Sequence, residues 1–284
     1  MSTRMPVAFL GHGSPLNALE SNRYTQAWAA FGRSVPTPRA ILAISAHWFI
    51  NATAVTAMRS PRTIHDFFGF PQELFDMRYP APGAPELAEE IADLVHPTWV
   101  GADVDSWGID HGTWSVLAHA FPEADVPVVQ LALNAYKPLG YHVELGARLA
   151  ALRESGVLIV ASGNIVHNLG AMDPHRPGAG FDWAHRFDED VATVLRDRPG
   201  DAAALREHPD YAAAVPTPDH FLPLLYVAGL AAESGEQPQT LVDGVEYGSL
   251  SMTSYTFGAP ACPPGSDGHG AGLPETPEPP DTNL

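Results

Sequence analysis

Four short runs of consecutive apolar residues stand out along the chain: Met5–Leu10, Ala40–Ser45, Val126–Leu133 and Val157–Ser162. Each is too short for a core helix and rich in Val, Ile and Leu. Each therefore predicts a strand buried on both faces. Between these runs the apolar positions recur at helical spacing. Ser21 predicts the cap of a helix through Phe31, with Trp28 and Phe31 turned inward. Pro85 opens a helix running to Val95. Tyr141–Arg153 carries Val143, Leu145, Leu149 and Leu152 on an apolar face, and Trp183–Arg196 reads similarly. Asp110 predicts the cap of a helix over Thr113–Phe121. Near the C-terminus, Thr240–Val245 and Ser249–Thr256 flank Glu246-Tyr247-Gly248, which predicts two strands joined by a turn. Strands alternating with helices predict a single α/β domain, with a largely parallel central sheet flanked by helices.

Composition changes this picture at one end. Ala259–Leu284 holds seven Pro, four Gly and four acidic residues, with no basic residue. Such a segment buries too little apolar surface to offset its ordering entropy, so the expectation is a folded domain over 1–258 and a disordered tail over 259–284. Over all 284 residues, 15 Lys plus Arg stand against 33 Asp plus Glu, a formal net charge of −18. That balance argues against nucleic acid, whose phosphates need a basic face, and against anionic membrane. No apolar run approaches the ~20 residues that span a bilayer. The single cysteine, Cys262, excludes intramolecular disulfides and thiolate zinc sites. It suits a reducing compartment, and the first residues lack the pattern of a cleavable leader, so the expected location is cytoplasmic. A homo-oligomer is left open.

The candidate chemistry lies in the histidines. Met5–Leu10 runs into Gly11-His12-Gly13, Ala40–Ser45 runs into Ala46-His47-Trp48, and Val157–Ser162 runs into Gly163 through His167. In open α/β sheets the carboxyl ends of the strands form one rim where ligands bind. Three strands therefore deliver imidazoles to the same edge. His220 lies just before the apolar run Phe221–Leu230, in the expected first turn of a helix, with Thr217 as a plausible cap. Singly, each of these residues reads as a turn or packing histidine. Together they predict a metal or acid/base site. Imidazoles without cysteine point to Zn, Fe(II), Mn, Cu or Ni. Asp219 and Asp110 are candidate partners for the second ring nitrogens, though both also suit helix caps. His111 sits between glycines in a loop bordered by Trp107 and Trp114. The segment Thr63–Gly83 is too rich in Pro and aromatics for a regular element, so it predicts a loop that packs on the core or covers a pocket. His65 and Phe68 in it, with Trp48, are candidates to touch a flat substrate.

Five motifs occur in order: GHGSP around His12, SAHW around His47, WGIDHG around His111, SGNIVHN around His167 and PTPDHFLPLLY around His220. With TIHDFFGFPQELFDMRYPAPG, they resemble the class III extradiol ring-cleavage dioxygenases, in particular the DOPA 4,5-dioxygenase-like branch. The resemblance runs from about Pro6 to Gly258. It implies one non-haem metal with His12, His47 and His220 as ligands. It implies His167 as a fourth imidazole, a ligand or an acid/base group, and His167 and His111 as catalytic residues. The implied partners are a catechol-type substrate, DOPA-like or another catechol, and O₂. Ring opening beside the diol gives a semialdehyde. Fe(II) is the cofactor for that reaction, and Zn(II) is expected to suit the same neutral nitrogens. A zinc-dependent hydrolase is the second reading of the same residues, and a non-catalytic zinc-binding protein of this fold is the third.

Overall fold

Strands that read as uninterrupted apolar runs need cover on both faces, and here they have it. The computed structural model describes residues 4–260 and Gly272. In chain order the elements are β1 (Val7–Gly11), α1 (Arg23–Ser34), β2 (Ala40–Ile50), β3 (Ala54–Thr56), α2 (Gln72–Asp76), α3 (Pro85–Leu94), β4 (Gly101–Asp103), α4 (His111–Ala120) and β5 (Val128–Asn134). Then come α5 (Leu139–Arg148), β6 (Val157–Gly163), α6 (Asp182–Asp197), α7 (Tyr211–Ala214), α8 (Leu222–Ser234), β7 (Gln239–Val242), β8 (Val245–Glu246), β9 (Leu250–Ser251) and β10 (Ser254–Phe257). Eight strands form one sheet in the order β4-β3-β5-β2-β6-β1-β10-β7. The four central neighbours β5, β2, β6 and β1 are mutually parallel. The chain is thus a single α/β domain with a largely parallel sheet, as the alternating pattern predicts.

Alternation along the central strands splits the core into two layers. Leu42 and Ile44 of β2 pack with Leu87 and Ile91 of α3, Val143 of α5 and Leu224 of α8. Ile41 and Ala43, on the other face, pack with Trp28 and Phe31 of α1 and Trp114 of α4. Helix α8 is buried from Leu222 to Ala231, which is why it lacks a polar stripe. It crosses α5 so closely that a Cβ on Gly229 would fall 1.9 Å from the Val143 carbonyl oxygen.

Several local expectations shift in detail. Asn22, not Ser21, caps α1: its side chain accepts from the Tyr24 and Thr25 N–H groups while Thr25 reaches back, because the reciprocal pair satisfies more open donors. The helix expected over Tyr141–Arg153 divides into α5 from Leu139 and a 3₁₀ segment over Leu149–Ser155. The C-terminal region is more divided than one hairpin. β8 pairs with β9 across the Tyr247-Gly248 turn, while β7 pairs with β10. Strands β3 and β4, three residues each, carry too short a pattern to read from sequence. Of the expected tail, all but Ala259, Pro260 and Gly272 lies outside the described residues.

Asp188 of α6 ties this C-terminal region down. It accepts from Ser251 Oγ at 2.5 Å and Thr253 Oγ1 at 2.9 Å. Burial outweighs those two donors and raises its carboxyl from the ordinary 3.8 to about 6. The folded state therefore holds this proton more tightly than the unfolded state does. The resulting stabilisation is full below the ordinary value and is lost as pH rises through about 6, at most ~3 kcal/mol. Asp188→Asn should flatten this dependence. In thermal melts from pH 4 to 7, the gap between wild type and variant should move in favour of the variant as pH rises, and a constant gap would show that Asp188 does not titrate there.

Candidate metal centre and active site

Register explains why distant histidines meet. β1 and β6 pair in step with Gly11 opposite Gly163, and β2 and β6 pair with Ser45 opposite Ser162. His12 follows Gly11 directly. The expected order of strand and then histidine is corrected at His47: β2 does not stop at Ser45 but runs on to Ile50, with a register shift between Ile44 and Phe49. Such an irregularity re-aims side chains beside a site. His220 also lies differently from the expectation. It sits in the turn before α8, whose N-cap is Phe221 without a side-chain cap. Its place is held by the backbone, because Asn164 N–H donates to the His220 carbonyl at 2.9 Å.

The ring nitrogens of His12, His47 and His220 converge, with one donor atom of each within 4.8 Å of the others. Each ring has its Nδ1 occupied. His12 Nδ1 lies 2.9 Å from Ser162 Oγ, whose own hydrogen goes to the Gly112 carbonyl, so the hydroxyl accepts from the ring. His47 Nδ1 lies 3.1 Å from Asp66 Oδ2. His220 Nδ1 pairs with Asp219 Oδ2. With protons on Nδ1, the Nε2 atoms are bare lone pairs, and those of His12 and His47 stand 3.2 Å apart. Two bare acceptors at that distance repel unless a cation or a proton lies between them. Two ligands ~2.0–2.1 Å from one tetrahedral metal would be about 3.3 Å apart. The donor set therefore fits a divalent metal. Helix α4 packs tightly against the His47 ring: a Cβ on Gly112, at the start of α4, would fall 2.7 Å from His47 Cδ2 and 2.5 Å from Ser45 Oγ.

Charge follows the same design. Burial and the neighbouring imidazoles hold His12 well below its ordinary value. Burial lowers His220 despite Asp219. Burial also works against a charge on His47, but Asp66 outweighs it, aided by Asp110 and Asp219, and lifts the ring to about 9. Asp66 itself resists burial and stays far below the carboxylate range because His111 and His47 flank it.

The other expected residues separate into two groups. His111 lies beside the cluster, its ring 3.9 Å from that of His47 and its Nδ1 2.9 Å from Asp66 Oδ1. His167 stacks flat on His220 with centroids 3.5 Å apart, and burial and the His220 imidazole push its pKa well down. It is not one of the three converging ligands. Among substrate candidates, Phe68 is half-exposed, whereas its neighbour Phe67 is buried and meets His111 edge-on at 5.4 Å. Trp48 turns into a separate cluster and stacks on Trp107 at 5.9 Å. His65 spends Nε2 on the Met77 carbonyl at 3.0 Å within its own loop. Asp219 is the ring partner expected of it. Asp110 is the cap instead, accepting from Thr113 N–H and from Ser45 Oγ. Asp66 carries no motif that marks it in the sequence. Its only signal there is an acidic residue next to His65 in an aromatic loop.

Comparison with known proteins agrees with this geometry. Residues 11–258 match the family model described as the catalytic LigB subunit of aromatic ring-opening dioxygenase. The chain belongs to that family, the class III extradiol dioxygenases, and is an extradiol ring-cleavage enzyme for catechol-type substrates. It is 49% identical to the 4,5-DOPA dioxygenase extradiol of Escherichia coli K12 over 90% of this chain and 96% of that protein. It is 35% identical to the protein of the same name from Beta vulgaris, over 88% and 95%. A crystal structure of an uncharacterized protein from Escherichia coli K12 matches with a TM-score of 0.78 at 43% identity, covering 89% of this chain and 99% of that one. Among the described residues no helix is long and apolar enough to cross a membrane.

Proposed function

We propose that this protein uses O₂ to open a DOPA-like catechol beside its diol, giving a semialdehyde, at one divalent metal held by His12, His47 and His220. The observation that carries this reading is the convergence of three imidazoles, each with a partner at Nδ1, with the Nε2 atoms of His12 and His47 only 3.2 Å apart. Fe(II) is the metal of turnover, and Zn(II) fits the same nitrogens. When bound, Fe(II) would supply open positions for catechol and O₂ and a redox path by which the catecholate's electrons reach O₂. The rest is the work of the chain's own residues. His111, with Asp66 on its Nδ1, offers Nε2 as a base for a catechol hydroxyl proton, and Asp66 stabilises the imidazolium that forms. His167, stacked flat on His220, is the second imidazole beside the site and takes or returns a second proton. Phe67, edge-on to His111, provides an aromatic wall for a flat ring and keeps water from the acid/base pair. The names of the relatives from Escherichia coli and Beta vulgaris support DOPA or a close analogue as substrate.

The test is anaerobic loading with Fe(II) or with Zn(II), followed by O₂ uptake and absorbance scans with DOPA and other catechols. The Fe(II) form is expected to consume O₂ and produce a coloured semialdehyde. The Zn(II) form is expected to do neither, because zinc has no redox state to offer. Hydrolytic activity with zinc, together with no O₂ uptake by the iron form on any catechol, would establish the hydrolase reading instead.

A further inference from the structure

We propose that Asp66 is a positioning residue that sets the tautomers of two imidazoles at once, the metal-facing His47 and the base His111. The inference rests on the metal reading above and deepens it. Asp66 belongs to the aromatic loop rather than to any strand end, and its side chain is only 12% exposed. Its Oδ1 accepts from the His111 backbone N–H at 3.0 Å and from His111 Nδ1 at 2.9 Å. Its Oδ2 accepts from His47 Nδ1 at 3.1 Å. An ionised carboxylate has acceptors only. Both rings must therefore donate a proton from Nδ1, which leaves Nε2 as the nitrogen that faces the metal on His47 and, in the neutral ring, the free base of His111. One side chain thus prepares one nitrogen for a metal and another for a substrate proton. It also joins the loop that carries Phe67 to the metal centre.

The geometry separates this role from simple space-filling. Asn at position 66 would keep the size and shape of Asp. Its carbonyl oxygen would have to stay with His111, because the backbone N–H there can only donate. Its NH₂ would then face His47 Nδ1 and force that atom to accept. The His47 proton would move to Nε2, where the metal must bind. Ala leaves a gap but imposes no tautomer.

The experiment compares zinc affinity of wild type, Asp66→Asn and Asp66→Ala by competition with a chromophoric chelator. A ring-orienting partner is typically worth 10–100-fold in metal affinity. The expected order is wild type tightest, Asp66→Ala weaker by about 10-fold, and Asp66→Asn weakest, by about 100-fold. A space-filling role would place Asn near wild type and Ala last, and that order would overturn the proposal. Long-range ¹H–¹⁵N spectra of zinc-loaded wild type provide a second readout that needs no folded variant. Nδ1–H is expected at both His47 and His111, and Nε2–H at either ring would overturn the proposal. So would a second bound zinc that removes the Nδ1 protons. Failure of wild type to bind zinc at all would instead overturn the metal reading.

Discussion

His220→Ala is expected to lose the metal and, with it, ring cleavage. Structural zinc sites bind with about 10–16 kcal/mol over four ligands, so one imidazole is worth roughly 10²–10³-fold in affinity. Here the loss has further consequences. The ring also pairs with Asp219 and supports the face of His167, so its removal leaves a buried carboxylate without its imidazole partner, with Thr217 as its remaining hydrogen-bond donor. The unfolding temperature should fall as well, since a buried charge that loses its partner is costly. Equilibrium dialysis against zinc should show affinity down by about 10²–10³-fold, and O₂ uptake after Fe(II) loading should be near background. Wild-type affinity in this variant would remove His220 from the ligand set.

His111→Ala and His167→Ala should behave differently, because neither ring is one of the three converging ligands. Metal affinity should stay within a few-fold of wild type, while kcat falls by about 10²–10⁴, the usual range for loss of a positioned acid or base. KM should move little. The contrast with His220→Ala is the informative part: in one case activity is lost with the metal, in the other it is lost while the metal stays. A KM that rises steeply at constant kcat would assign His111 to substrate binding rather than to proton transfer.

Much of the fold was legible in the chain because burial on both faces leaves an uninterrupted apolar run. The runs at Val157–Ser162 and Ala40–Ser45 needed no partner to be recognised as strands. That His12 and His47 reach one rim was legible for a related reason, whereas His220, in the turn before α8, was marked by its place at an expected helix start and not by a strand end. Residues that follow buried parallel strands share one rim, and the in-step pairing of Gly11 with Gly163 and Ser45 with Ser162 realises it.

What remained hidden depended on contacts between segments far apart in sequence. That β2 continues through His47 follows from its neighbour β5, which pairs with Phe49 and Ile50 beyond the register shift. That Phe67 rather than Phe68 meets His111 follows from how the loop packs, since adjacent aromatics have no intrinsic preference for one side. Asp66 is the plainest case. It lies 45 residues from His111, and only folding brings its two oxygens against two rings and a backbone N–H. Local pattern determines where strands form and which residues their ends can offer. The proton positions on those residues depend on partners that only tertiary packing supplies.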